Sequence, residues 1–246
     1  MNILQTTKWE QWRANTIETK EPETIAWIND FNAGSIFYDI GANIGIYTLW
    51  AAEKHEEHGI HIFAFEPHIF NFRHLKENVE KNQYTHCVFT IFAGVADKDG
   101  VAQFDMRNLS AGSSGGQLIY ESTERKGMYV VPIRSVDSYA FDHDGKYFPN
   151  YIKIDVDGQE EKIVIGMQKT LQDPRLKSVL IEINGPTDPI RKMFIAAGFT
   201  DNNKYTAMSR KVMEDYGKQG YRKAYNAIFT RETNFFRIIW RYFTGR

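Results

Sequence analysis

The chain has 246 residues, 42% of them hydrophobic, and a formal net charge of -1, enough apolar material for one sizeable core of the size usual for an open α/β domain. Its single cysteine, Cys87, excludes an internal disulfide and a multi-cysteine metal site and suits a reducing, cytoplasmic compartment. No basic start leads into an apolar run, and no uncharged run is long enough to cross a bilayer, so a soluble protein is expected.

The opening 35 residues read as polar and helical. Glu21-Pro22-Glu23-Thr24 marks a helix start, with Ile25, Ile28 and Phe31 as its buried stripe. Ile36 to Ile40 is a short apolar run with one acid, Asp39, as expected of a parallel strand covered on both faces. A glycine turn and a helix from Tyr47 to Glu53 follow. The unit then repeats, with a strand from Ile60 to Phe65, a helix over 69 to 82 (Ile69, Phe72, Leu75, Val79) and a strand from Val88 to Phe92.

An inserted hairpin is expected over about 101 to 134, with strands Val101 to Met106 and Met128 to Ile133. The Gly/Ser-rich run Ser110 to Gly116 reads as its mobile tip. Tyr151 to Val156 restores the parallel pattern. A helix from Glu160 to Thr170, a strand from Ser178 to Ile183 and a helix from Asp188 to Ala197 come next. Gly198 to Tyr205 and Tyr225 to Thr230 are then placed as an antiparallel hairpin at the sheet edge. The expected organisation is a helical segment, 1-35, packing on the core; an α/β domain, 36-232; and an aromatic, basic helix, 233-246.

A sharp strand-to-helix turn beside a ligand needs glycine, and Gly41 and Gly45 supply it. An acid at the end of the second strand can accept hydrogen bonds from both hydroxyls of a ribose, and Glu66, 21 residues after Gly45, has that spacing. A dinucleotide site typically reads G-x-G-x-x-G, whereas Ala42-Asn43 fills the middle of this turn. Asp39, just before the turn, suits the ammonium of an amino-acid ligand and not a pyrophosphate. Together these favour S-adenosylmethionine over a dinucleotide, with Asp39, Gly41, Asn43, Gly45 and Glu66 as its contacts.

The segments Phe37 to Thr48, Phe63-Ala64-Phe65-Glu66-Pro67, Gly94-Val95-Ala96-Asp97 and Ile152 to Glu160 resemble, in order, the signatures of the FkbM-type methyltransferases. The resemblance implies a Rossmann-like class I methyltransferase fold. In that fold a mostly parallel seven-stranded sheet has helices on both faces, here with the β-hairpin inserted. It also implies O-methylation of a hydroxyl on a sugar, glycan or other small natural product, and it sets Val95, Ala96 and Asp97 beside the adenine. Lys20 to Thr24 resembles a segment that precedes the first strand in part of the family and closes over the cofactor; as a plain helix start it is explained equally well.

Asp155 and Asp157 follow the fourth parallel strand and should face the same crevice, where the acceptor would sit. Lys153 shares a strand face with Asp155, and a lysine within an apolar strand is costly unless paired. Asp155 is therefore the expected active-site carboxylate and Lys153 its orienting partner, with a burial-depressed Lys153 as the alternative base. A turn and helix cap would also explain Asp155 to Gly158. No metal is expected; were one bound, Asp155, Asp157 and Glu182, with Asn184 nearby, would supply hard oxygen ligands. His68 reads as a partly exposed or cofactor-packing residue.

From Lys204 to Arg246 ten Lys or Arg face three Asp or Glu, so that end carries +7 and the remainder -8. The helix from Phe235 to Phe243, striped by Arg237 and Arg241, is expected to dock on the body or on a second subunit; peripheral contact with the inner face of a membrane is the alternative. A nicotinamide-dependent oxidoreductase and a non-catalytic partner with this fold are the competing functions. Nucleic acid is not an expected partner, because the overall charge is balanced.

Overall fold

The computed structural model describes residues 1–120, 128–183, 188–202, 204–210 and 225–231. Helix α1 (Lys8–Lys20) opens on a capping box in which Thr7 and Glu10 satisfy each other's backbone donors. It stops at Glu21, because Pro22 disfavours helical geometry in the residue before it and begins α2 (Pro22–Asn29). Strand β1 (Ile36–Ile40), α3 (Ile46–His55), β2 (His61–Phe65), α4 (Ile69–Lys81) and β3 (Val88–Ile91) then repeat the right-handed unit. Strands β4 (Gly94–Ala96), β5 (Gly100–Asp105), β6 (Gln117–Ile119) and β7 (Met128–Ser135) follow, and α5 (Val136–Ala140) leads back to the main sheet. The chain continues through β8 (Tyr151–Ile154), α6 (Glu160–Ile165), α7 (Gln168–Gln172), β9 (Ser178–Ile183), α8 (Pro189–Ala196), β10 (Phe199–Asp201) and β11 (Tyr225–Arg231).

The main sheet has seven strands in the order β10-β11-β9-β8-β1-β2-β3. It is parallel from β9 to β3, while β11 pairs antiparallel with both β9 and β10. Phe37, Tyr151 and Leu180 face a core shared with Trp27, Leu49 and Leu75 of α2, α3 and α4. Ile152, Ile154 and Ile181 face the other, shared with Val164, Leu171 and Phe194 of α6, α7 and α8.

Three expectations change. The insertion is a four-stranded sheet in the order β4-β7-β5-β6 with its own apolar cluster, not a hairpin alone. Its extra strands have only three residues each, too short to show a period. The helix expected over Glu160 to Thr170 breaks in two, because the chain at Gly166 runs so close to β4 that a Cβ would lie 2.2 Å from the Ala96 carbonyl. The strand expected over Gly198 to Tyr205 ends at Asp201, and residues 204–210 are helical. No helix among the described residues is long and apolar enough to cross a membrane. The tail helix expected over 233-246 lies outside the described residues.

Candidate active site

A cleft of about 610 Å³ opens where β1, β2 and β8 end, lined by Gly41, Asn43, Glu66, Val95, Asp155 and Asp157 among others. At its floor, Gly41 has φ +81, and a Cβ there would lie 2.0 Å from the Asp155 carbonyl oxygen. Only glycine lets the ends of β1 and β8 come this close. Gly45 serves packing instead. It does not line the cleft, and a Cβ on it would lie 2.6 Å from Leu75 of α4.

Glu66 is buried and accepts the Asn43 N–H at 2.7 Å and the His68 N–H at 2.8 Å. Burial still outweighs these donors and pushes its carboxyl up to about 7. His68 is fully buried. Its Nδ1 accepts the Asn71 N–H, so the proton sits on Nε2, 2.8 Å from the Asn108 carbonyl, and burial lowers its basicity. It thus lines the cleft as a neutral packing group.

Val95 lines the cleft with Ala93 and Gly94, whereas Ala96 and Asp97 do not. Pairing with β7 turns β4 away: Ala96 is buried in the second sheet's core, and Asp97 opens on a separate hollow with Arg134 and Lys169. The Gly/Ser-rich loop is fastened over the cleft and not a free tip. Ser113 O accepts from Asn43 Nδ2 at 2.8 Å and from Asn71 Nδ2 at 3.2 Å, while the Gly115 N–H donates to Asp157 Oδ2 at 2.7 Å.

At the other end the chemistry is ionic. Lys153, buried in β8, donates to Asp155 Oδ2 at 3.0 Å, lies 4.0 Å from Asp39 Oδ1 and sits over the Tyr47 ring at 5.1 Å. Burial alone would lower its basicity, but Asp155, Asp39 and Glu21 outweigh burial and hold the ammonium above the ordinary lysine value. Burial thus does not depress Lys153, and its surroundings favour the charged orienting partner over the alternative base. Burial opposes ionisation of Asp155 too, yet Lys153 and then Lys20 hold its carboxyl down at about 2.

Asp39 does not line the cleft. It is 1% exposed and accepts the Thr48 hydroxyl at 2.6 Å; the facing Lys153 seals it in, and burial pushes its carboxyl upward. It sits beneath Lys153, away from the cleft lining. Glu182 follows Ile181, the β9 partner of Ile154, and so stands beside Asp155 on the same face. Burial, reinforced by Asp155, Glu160, Asp157 and Glu21, pushes Glu182 up to about 7. Asp155, Asp157 and Glu182 do not form a ligand set: no three acidic, histidine or cysteine side chains are gathered in metal-binding geometry among the described residues. Asn184 lies outside them.

Two further residues belong to this site: Glu21, within the Lys20 to Thr24 segment, and Arg13, which carried no sequence signal of its own. Glu21, at the joint of α1 and α2, pairs with Lys20 and bonds the Tyr47 hydroxyl. Burial favours its neutral form, but Lys20 and Lys153 prevail and keep it ionised. Arg13 of α1 donates from Nε to Gly112 O at 2.7 Å and favours the ionised forms of both Glu66 and Asp155.

The chain is similar to the hexuronic acid methyltransferase AglP of Haloferax volcanii, with 25% identity over 73% of this chain and 69% of that protein. A solved candidate rRNA methylase from Clostridium thermocellum shares the fold at 10% identity and a TM-score of 0.51, over 87% of this chain and 97% of its own. A solved FkbM methyltransferase from Methylobacillus flagellatus aligns at 12% identity and a TM-score of 0.46, over 81% of this chain and 44% of its own length. The methyltransferase FkbM domain matches residues 39–219, about three quarters of the sequence, and on that match the chain belongs to the FkbM methyltransferase family.

Proposed function

We propose that the protein is an S-adenosylmethionine-dependent O-methyltransferase whose acceptor is a hydroxyl of a sugar or glycan. The observation that carries this reading is one cleft with a glycine-only floor at Gly41, a buried acid, Glu66, at the end of β2, and a lysine-held carboxylate, Asp155, at the end of β8. The residues present fit the donor. Glu66 would take the ribose hydroxyls on its remaining lone pairs, and Gly41 and Asn43 would border the amino-acid end. Val95, with Ala93 and Gly94, would border the adenine. The sugar acceptor is supported by the AglP likeness.

When bound, the donor supplies a methyl group already activated by the positive sulfur. The protein's remaining task is to align the acceptor oxygen and take its proton, with alignment the larger contribution. Asp155, ionised and a third exposed on its side chain, orients the hydroxyl as a hydrogen-bond acceptor. At about 2 it is a weak base, and Lys153 keeps it so. Glu182, at about 7 and one strand over, has the better-matched affinity for the proton.

Incubation with methyl-labelled S-adenosylmethionine and a set of neutral and uronic acid glycosides tests the proposal. Label is expected in a sugar methyl ether. Intact donor binding with label in no sugar, but in another hydroxyl compound, would overturn the sugar acceptor and leave the methyltransferase.

A further inference from the structure

The donor of the proposed reaction carries a sulfonium, an ammonium and a carboxylate. The cleft's lining includes Glu66, Asp155 and Asp157 and has no lysine or arginine among the described residues. A donor bound there would bring its two positive groups into an acidic cleft, and its carboxylate would find no cation among the lining residues. Two nearby lysines are committed elsewhere: Lys153 is 1% exposed between Asp155 and Asp39, and Lys20 pairs with Glu21.

Arg13 is placed differently. Helix α1 packs directly on the loop that roofs the cleft: the Thr7 hydroxyl donates to Ala111 O at 2.8 Å, and a Cβ on Gly112 would come within 3.0 Å of the Glu10 backbone nitrogen. Arg13 Nε donates to Gly112 O. The next residue, Ser113, lines the cleft and accepts from Asn43 and Asn71. Arg13 does not itself line the cleft, but its Nε is thus fastened to the residue next to one that does. Its two terminal nitrogens make no hydrogen bond among the described residues. Its charge is felt at both ends of the cleft, at Glu66 and at Asp155.

We propose that Arg13 is a donor-binding residue that receives the carboxylate at the amino-acid end of the methyl donor, with α1 acting as part of the donor site. The inference rests on the S-adenosylmethionine reading above. A guanidinium anchored through Nε presents its outer edge as a fixed pair of donors, the geometry a carboxylate accepts best. The ring of the neighbouring Trp12 lies 6.0 Å from its Cζ.

The test is calorimetry on the full chain with two ligands. S-adenosylhomocysteine carries the amino-acid end, and 5′-methylthioadenosine lacks it. Arg13→Gln should weaken the first by roughly 10- to 100-fold and leave the second within about twofold, and Arg13→Lys should recover part of the loss. Equal losses for both ligands would mean that Arg13 only holds the loop, and no loss for either would mean that it does not reach the donor; both outcomes overturn the proposal. Should Arg13→Gln fail to fold, decarboxylated S-adenosylhomocysteine on the unaltered protein gives the same answer, since affinity equal to that of the parent ligand overturns it. Failure of the unaltered protein to bind either nucleoside would instead overturn the S-adenosylmethionine reading beneath it.

Discussion

The two ends of the cleft are built on different physics. Around Gly41 and Glu66 the surface is fixed by contact distances and backbone hydrogen bonds, and each constraint falls on one residue. Around Lys153 the surface is fixed by charge balance among Asp39, Asp155, Glu21 and Glu182, which come from separate segments of the chain. A steric site fails when one residue is enlarged. An ionic site fails when a partner is removed and the remaining charge is left buried.

The largest effect is expected from Gly41→Val, whose Cβ would enter the Asp155 carbonyl at a positive φ. Binding of S-adenosylhomocysteine should be abolished, and unchanged affinity would break the steric half of the comparison. Lys153→Met should come next, costing about 3–5 kcal/mol in urea denaturation by leaving Asp39 buried without its cation. Adding Asp39→Asn should recover part of that loss; an additive double variant would contradict the charge-balance account. Glu66→Ala should weaken S-adenosylhomocysteine and 5′-methylthioadenosine alike, about tenfold or more, because both ligands carry the ribose.

A smaller effect is expected from pH. If Glu182 takes the acceptor proton it must be ionised, so turnover should rise as pH passes upward through about 7, and Glu182→Gln should flatten that rise. Asp155, at about 2, stays ionised throughout and adds no step in that range. A rise that persists in Glu182→Gln would place the proton elsewhere. The smallest effect is expected from chelators, which should leave turnover unchanged, because an Asp157 oxygen is engaged by Gly115 and the acids are not gathered around a common point.

The same contrast explains what could be read in the sequence. The strands of the parallel core and the need for glycine at position 41 follow from local apolar runs and one turn, and both are legible. The spacing of Glu66 likewise pointed to the cleft. Sequence alone does not place Asp39, because its local setting, an acid before a glycine turn, is the same whether it faces a ligand or a neighbour. Only the pairing of β1 with β8 puts Lys153 over it. Ala96 and Asp97 leave the cleft because of a three-residue strand, and α6 stops at Gly166 because of contact with that strand. The loop from Ser110 to Gly116 has the composition of a free tip, but Asn71, Asn43 and Asp157 reach it from three other segments. Arg13 is silent for the same reason: nothing near it in sequence shows what it faces, whereas Glu21 lies in the Lys20 to Thr24 segment whose family resemblance pointed to the cofactor.

The most direct test is a calorimetric titration of the unaltered protein with S-adenosylmethionine and, separately, with NAD. The account predicts saturable one-site binding of S-adenosylmethionine that Glu66→Ala weakens, and none of NAD. Binding of NAD in the same cleft, with no binding of S-adenosylmethionine, would contradict it.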